Sequence, residues 1–412
     1  MRLDPAKHEW MRAPATVRLM AALTGSSPAM EARFVGGAVR NALLGLKVDD
    51  IDIATPLTPD KVATLLEQAG IKSVATGIEH GTLTAVVDGK PFEITSLRRD
   101  VKTDGRHAEV AFGTDWAEDS RRRDFTMNAL YASTGGELFD YAGGVEDLHA
   151  GRVRFVGEAS SRIREDYLRI LRLFRFHAWY GKGEIEAEAL RAAAETREGI
   201  RTLSGERIAK EMLKLLAAEN PAPVLREMES SGILAEVLPG APNIASAQRL
   251  AEIDRQNGFL PDGLLRLAAL RPDMPAVGER WKLSNAQRKR LEDIAGAREE
   301  ILPSLSHREA RKLLYRLGVQ GFNDRLFANW AQDSDPSHAE AWCALLELAD
   351  FFAPPRFALT GRDAIALGVP QGPLVGKVLS EVEEWWIEHD FTADKFSLAE
   401  RLKAAVRAAT GK

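Results

Sequence analysis

Two aspartates, Asp50 and Asp52, stand two residues apart in the stretch VDDIDIAT, with isoleucines at 51 and 53. Read as a strand, this spacing sends both carboxylates to one side while Ile51 and Ile53 face a core. Two carboxylates held side by side repel each other, and burying them unpaired is costly. A divalent cation removes the conflict. Hard oxygen ligands without a neighbouring His or Cys suit Mg2+ better than Zn2+, and such ions activate a hydroxyl and stabilise a triphosphate leaving group. Just upstream, Gly36-Gly37 follow an apolar run. Lacking Cβ atoms, they allow backbone amides at a helix start to close on phosphate oxygens, with Arg40 one turn on as a charge-assisted contact. Glu93, in PFEITSL, is a third carboxylate on a strand that can pair alongside. Taken alone, Asp-x-Asp is also an ordinary surface pattern, and Asp49 beside Asp50 equally suits an acidic turn.

A second constellation lies further on. Between Gly151 and Lys182 eight basic residues meet only three acidic ones (Glu158, Glu165, Asp166), so this stretch is locally +5 in a chain of net charge -5. A basic face on an acidic protein suits a polyanion held at one place, and a solvated helix face is the alternative. Within it Asp166 and Arg169 are three apart in a helical pattern, so they share a face. As a plain surface ion pair they stabilise by well under ~1 kcal/mol.

The elements that must position these groups can be read from pattern. ARFV is a strand, Gly36-Gly37 a turn, AVRNALL a helix closed by Gly45, and DIDIA the next strand. HGTLTAVVDGKPFEITSL is a hairpin turning at Asp88-Gly89. RRDFTMNALYA reads as a helix and GELFDY as a short strand. After Gly151 strand signals fade. Apolar residues at 163, 167, 170, 171, 174 and 178 keep a helical period, and SGERIAKEMLKLLAA starts a second helix at Ser204. Ser284 with Gln287 and Ser306 with Glu309 read as capping boxes, the latter helix closing at Gly318. The expected fold class is α+β: a mixed head followed by an all-α remainder.

Composition bounds the class. A chain of 412 residues exceeds one ordinary core, so two to four packed units are expected. Its 45% hydrophobic and 28% charged content is that of a globular protein. No apolar run approaches the ~20 residues that cross a bilayer, and the first residues show no secretory pattern. With Cys343 as the single cysteine, intramolecular disulfides and cysteine metal clusters are excluded, and a cytoplasmic location is the expectation.

Gly-Gly-x-x-Arg, a helix and Asp-x-Asp together resemble the nucleotidyltransferase head of bacterial-type (class II) tRNA CCA-adding enzymes and poly(A) polymerases. Further stretches follow in that family's order: RRDFTMNALYA (Arg122 to Ala132) resembles its ribose-recognition motif, DYAGGVEDL (Asp140 to Leu148) its head-to-neck connector, REDYLRILRLFRF (Arg164 to Phe176) its base-reading motif and LSGERIAKEM (Leu203 to Met212) the neck helix beyond. The similarity is specific from Arg33 to Met212; beyond that only LTGRDAIALGVPQGPLVGKVL is faintly similar. It implies a nucleotidyltransferase head with a small mixed sheet over residues 1–150, a helical neck over 151–220, and a helical body and tail over 221–412 that bind tRNA. It further implies Asp50 and Asp52 as Mg2+ ligands, with Glu93 as a third carboxylate. Gly36, Gly37 and Arg40 would lie near the triphosphate, and Arg123, Asp124 and Asn128 at ribose or phosphate.

The resemblance also makes Asp166 and Arg169 the base readers, with Arg172 assisting. Cytosine and adenine each offer an exocyclic amino donor beside a ring-nitrogen acceptor, which a carboxylate and a guanidinium match. Uracil and guanine present a carbonyl and a ring N–H there and leave both contacts unpaired. CTP and ATP are thus the expected substrates, tRNA the partner, and no membrane is involved. Within the family, poly(A) polymerases carry a Gly-Arg-(Arg/His)-Phe signature that SVATGIEHGTLTAVV lacks. Enzymes adding only CC lack much of the loop that RRDVKTDGRHAEVAFG supplies in full, with Lys102, Asp104, Arg106 and His107 as a charged lever. Both features favour complete CCA addition over a poly(A) polymerase or a partial enzyme. Asp50 and Asp52, still in place, argue against a non-catalytic RNA-binding module. His389-Asp390 lacks the other ligands of a phosphohydrolase and reads as a helix end.

Overall fold

The computed structural model describes residues 1–24, 30–77, 81–104, 107–270, 273–295 and 301–410, without the side chains of 76–77, 99–104 and 107–110. The chain forms two compact units. One comprises Met1–Gly240 with Pro275–Leu283, the other Ala241–Met274 with Ser284–Lys412.

The first unit is built on a seven-stranded sheet. Its strands are β1 (Arg33–Val35), β2 (Asp52–Thr55), β3 (Lys72–Gly77), β4 (Thr82–Val87), β5 (Lys90–Ser96), β8 (Leu130–Ala132) and β9 (Leu138–Asp140), in the order β3-β4-β5-β2-β1-β8-β9. Strands β6 (Arg98–Asp104) and β7 (His107–Phe112) form a separate antiparallel hairpin. Within the large sheet only β2 and β5 run parallel. Asp88 (φ 51) and Gly89 (φ 78) are both left-handed, the turn that matches strand twist in a two-residue hairpin. Leu83, Ala85 and Val87 alternate inward along β4, while β1 is buried throughout, Phe34 meeting Trp10 edge-on at 4.8 Å.

Helices α1 (Glu9–Arg12), α2 (Pro14–Leu23), α3 (Gly37–Leu43), α4 (Pro59–Gln68), α5 (Trp116–Arg121) and α6 (Gly144–Ala150) accompany this sheet. There follow α7 (Ala159–Glu165), α8 (Leu168–Tyr180), α9 (Ala187–Glu195), α10 (Gly205–Leu216), α11 (Ala222–Ser230) and α12 (Ile233–Val237). Arg175 of α8 is ion-paired with Glu211 of α10, tying the two together above the buried apolar faces of both.

Three expectations need correction. The strand at DIDIA begins only at Asp52; Asp50 is exposed and Ile51 half-buried, so the outer carboxylate sits on the approach to the strand. RRDFTMNALYA is not a helix. It runs from the end of α5 through a 3-10 turn at Thr126–Asn128 into β8. The Asp124 carboxylate accepts the Phe125 N–H at 2.8 Å, a local bond that competes with helix, and Leu130–Ala132 is drawn into the sheet beside β1. Finally, the helical period across Asp166 conceals a break: Asp166 has extended backbone (φ -156, ψ 106) between α7 and α8. Asp166 and Arg169 therefore do not share one helix face.

In the second unit come α13 (Ile244–Asn257), α14 (Gly263–Ala269), α15 (Met274–Arg280, most of which belongs to the first unit), α16 (Asn285–Ala295), α17 (His307–Trp330), α18 (Ala339–Asp350), α19 (Gly361–Ala366), α20 (Pro373–Glu388) and α21 (Lys395–Thr410). The Ser306–Glu309 box caps α17, and Ser284 and Gln287 exchange the reciprocal bonds expected of them. Gly318 (φ 69, ψ 165) interrupts α17. One core gathers Phe322, Trp330 and Trp342, another Val382, Trp386 and Leu402. His389 caps the end of α20, and Asp390 is paired with Arg311.

Candidate active site

Strand β2 carries the chemistry because of its neighbours. On one side Val35 of β1 is the register partner of Asp52; on the other, Glu93 of β5 is. The parallel pairing of β2 with β5 thus sets two carboxylates on adjacent strands at the same level. Burial pushes the Asp52 carboxyl up to about 6, with the Glu93 and Asp50 charges adding to it and Arg123 and Arg40 opposing. Negative charge is crowded here beyond what the nearby guanidiniums relieve, which is what a divalent cation would correct. Among the described residues no three His, Cys, Asp or Glu side chains close around one point. An open carboxylate edge suits a cation that takes its remaining oxygens from a triphosphate.

The glycine turn lies directly after β1. Gly36 has φ +65, and a Cβ there would stand 3.6 Å from the Asn128 carbonyl oxygen and 3.8 Å from Arg123 Nη1. Its own N–H donates to the Leu130 carbonyl at 3.1 Å, so Gly36 contributes backbone shape rather than a free donor. Arg40 is buried. It donates to Asn128 Oδ1 at 2.5 Å, to Asn41 Oδ1 at 2.9 Å and to the Tyr180 hydroxyl at 2.9 Å, and lies over the Tyr180 ring at 4.2 Å. Arg40 thereby braces α3 against both the 3-10 turn and the end of α8.

Arg123, Asp124 and Asn128 form one network. Asn128 Nδ2 donates to Asp124 Oδ1 at 2.9 Å, and Arg172 Nε donates to Asp124 Oδ2 at 2.8 Å. Burial alone would raise the Asp124 carboxyl, but Arg172 and the bonds from Asn128 and Phe125 hold it down at about 2. Arg123 donates to Asp119 Oδ2 at 3.1 Å and to the Tyr131 hydroxyl at 3.2 Å; Tyr131 in turn donates to Asp119 at 2.7 Å. Burial would weaken the Arg123 proton affinity, yet Tyr131 and the fully buried Asp119 raise it overall.

The expected base readers come close in sequence but take separate partners. Asp166 accepts from Arg207 at 2.7 Å and from the Leu168 N–H at 3.1 Å. Arg169 donates to Glu165 at 2.5 Å and to the Arg162 carbonyl at 2.6 Å. Arg162 donates to the Arg123 carbonyl at 2.8 Å, joining α7 to the turn that holds Asp124. Sequence reasoning missed Asp119, Tyr131, Glu165, Tyr180, Arg207 and Glu211 as members of this network. Asp119, four before Arg123, and Glu165, four before Arg169, carried a spacing signal; the others meet their partners only through the fold.

Residues 32–154 match the family model of the poly A polymerase head domain, and residues 184–244 match that of the probable RNA- and SrmB-binding site of polymerase A. These define a nucleotidyltransferase. The chain is 34% identical over 389 residues to the Homo sapiens mitochondrial CCA tRNA nucleotidyltransferase 1, covering 90% of this chain and 86% of that protein. It is 31% identical over 361 residues to a CCA-adding enzyme of Lacticaseibacillus paracasei, covering 86% and 87%. The crystal structure of the Bacillus stearothermophilus CCA-adding enzyme in complex with CTP shares the fold with a TM-score of 0.73 and 28% identity, covering 92% of this chain and 94% of that one. The chain belongs to the CCA tRNA nucleotidyltransferase family, whose chemistry runs on a divalent metal. No helix among the described residues is long and apolar enough to cross a membrane.

Proposed function

We propose that this protein adds C, C and A to the 3′ end of tRNA from CTP and ATP, without a nucleic-acid template. The observation that carries the reading is the level pairing of Asp52 with Glu93 beside the glycine turn, in a chain similar over nearly its whole length to CCA-adding enzymes. Asp50 and Asp52, with Glu93 alongside, would hold Mg2+, which supplies Lewis-acid stabilisation of the triphosphate and favours the deprotonated 3′-hydroxyl. Arg123, oriented by Asp119 and Tyr131, would bring its charge to the triphosphate beside Gly36 and Gly37. Arg40 acts by bracing Asn128, and Asp124 with Asn128 presents acceptor and donor groups to the ribose. Asp166 and Arg169 read the base, with Arg172, held by Asp124, assisting.

Residues 1–150 serve as the catalytic head, 151–220 as the base-reading neck and 221–412 as the helical body and tail that bind tRNA. The protein works in the cytoplasm, although its relatives include a mitochondrial form. The test uses tRNA ending at the discriminator base with CTP and ATP: the product gains C, C and A and stops. With ATP alone on tRNA ending in CC, one A is added. Long A tails on arbitrary RNA would establish a poly(A) polymerase instead, and products ending in CC a partial enzyme.

A further inference from the structure

We infer that Arg207 is the positioning residue for base choice, acting by anchoring Asp166 as a fixed, acceptor-only carboxylate. The inference rests on the base-reading role proposed above for Asp166. Asp166 stands where α7 has ended and α8 has not begun, so its side chain has only the first N–H of α8 as a local partner. Its two oxygens are divided instead. Oδ1 takes the Leu168 N–H, and Oδ2 takes Arg207 Nη2 at 2.7 Å. Each carboxylate oxygen has two acceptor sites, so one on each remains for a ligand. The side chain is 29% exposed and can reach one.

Arg207 belongs to α10, forty-one residues further along the chain. Its neighbour Glu206 pairs instead with Lys282 at 3.5 Å. Arg169, the other half of the reader, is held by Glu165 and the Arg162 carbonyl. Each reader thus enters the site already oriented by a partner outside the pair. A carboxylate paired with a guanidinium accepts hydrogen bonds and donates none. It therefore matches the exocyclic amino group of cytosine or adenine and faces the carbonyl of uracil or guanine with an unpaired repulsive contact. If Asp166 were unanchored, it could rotate away from that carbonyl, and the penalty against the wrong base would be lost. Rejection of UTP and GTP therefore depends on Arg207 even where Arg207 itself touches no base.

The experiment measures kcat/KM for CTP and UTP, and KM for tRNA, in the full-length wild type, Arg207→Gln, Arg207→Lys and Asp166→Ala, with thermal melting of each. Arg207→Gln keeps the length but removes the charge and the fork. It should lower the CTP-to-UTP ratio by about tenfold, the effect of roughly one lost charge-assisted contact, with KM for tRNA unchanged. Arg207→Lys keeps a point charge without the planar fork and should lower the ratio by about threefold. If Arg207→Gln does not fold, the Lys variant decides: a lowered ratio supports the inference, and an unchanged ratio overturns it. An equal fall in kcat/KM for both nucleotides also overturns it, since that is what a merely structural clamp would give. If Asp166→Ala collapses the ratio while the Arg207 variants do not, only this inference fails. If Asp166→Ala leaves the ratio intact, the base-reading role fails with it.

Discussion

Asp124 and Arg172, forty-eight residues apart in the chain, form a two-point ion pair in which Nε and Nη2 of Arg172 both donate to Asp124 Oδ2. The pair fastens the turn after α5 to the middle of α8. The two segments are thereby arranged as one surface rather than two independent ones.

This contact has a pH signature. The Asp124 carboxyl is held at about 2 in the folded protein, below the ~3.9 of an unperturbed aspartate. The stability it contributes is complete above the unfolded value and is lost as pH falls through the folded one, a contribution of about 2.6 kcal/mol at most. Urea unfolding across the acid range should show Asp124→Asn losing stability less steeply than wild type below about pH 4. Equal slopes would mean that the carboxylate gains nothing from Arg172. Arg172→Met, which leaves Asp124 charged and half-paired, should cost roughly 2–4 kcal/mol at neutral pH.

Asp52 should behave in the opposite sense. Replacing it with Asn removes one of three crowded carboxylates, so Asp52→Asn should melt at or above the wild-type temperature while nucleotide transfer falls by at least about a thousandfold. Asp50→Ala should likewise abolish transfer with the fold intact. Ample turnover by either purified variant would remove the metal-ligand assignment.

The hairpin β6–β7 leads into α5 and so into the Arg123–Asp124 turn. The charged groups at Lys102, Asp104, Arg106 and His107 lie outside the described residues or side chains. Shortening the segment Arg98 to Gly113 at its tip should suppress addition of A more than addition of C, because the change of base without a template needs the pocket to change shape. Product lengths on tRNA ending at the discriminator base and on tRNA ending in CC report this directly. Equal loss of both steps would rule the hairpin out as the lever.

Gly144 offers a backbone test at the DYAGGVEDL stretch. A Cβ there would lie 2.1 Å from the Thr126 carbonyl oxygen and 2.7 Å from its carbon, both backbone atoms that cannot swing aside. Gly144→Ala should therefore destabilise by about 3 kcal/mol or more. Gly157→Ala, at a left-handed position (φ +86) with open space, should cost about 1 kcal/mol from backbone strain alone. Chemical unfolding of the two variants side by side measures the difference.

Features that depend on neighbours within a turn or a strand are written in the order of residues. The Asp88–Gly89 hairpin, the glycine turn into α3, the Ser306–Glu309 cap and the closeness of Asp50 to Asp52 are all of this kind, and all were legible from spacing. The motif order from Arg33 to Met212 made the nucleotidyltransferase class legible as well. Periodicity failed at RRDFTMNALYA and at Asp166. There a side chain bonding its own backbone, and a strand demanded by β1, outweighed helix propensity. It took the packed fold to reveal that Glu93 stands level with Asp52, that Arg172 holds Asp124 and Arg207 holds Asp166, and that Arg40 is a buried brace. Strand register and ion pairs between distant segments are set by how whole elements pack, and a pattern that reaches only three or four residues carries no record of them.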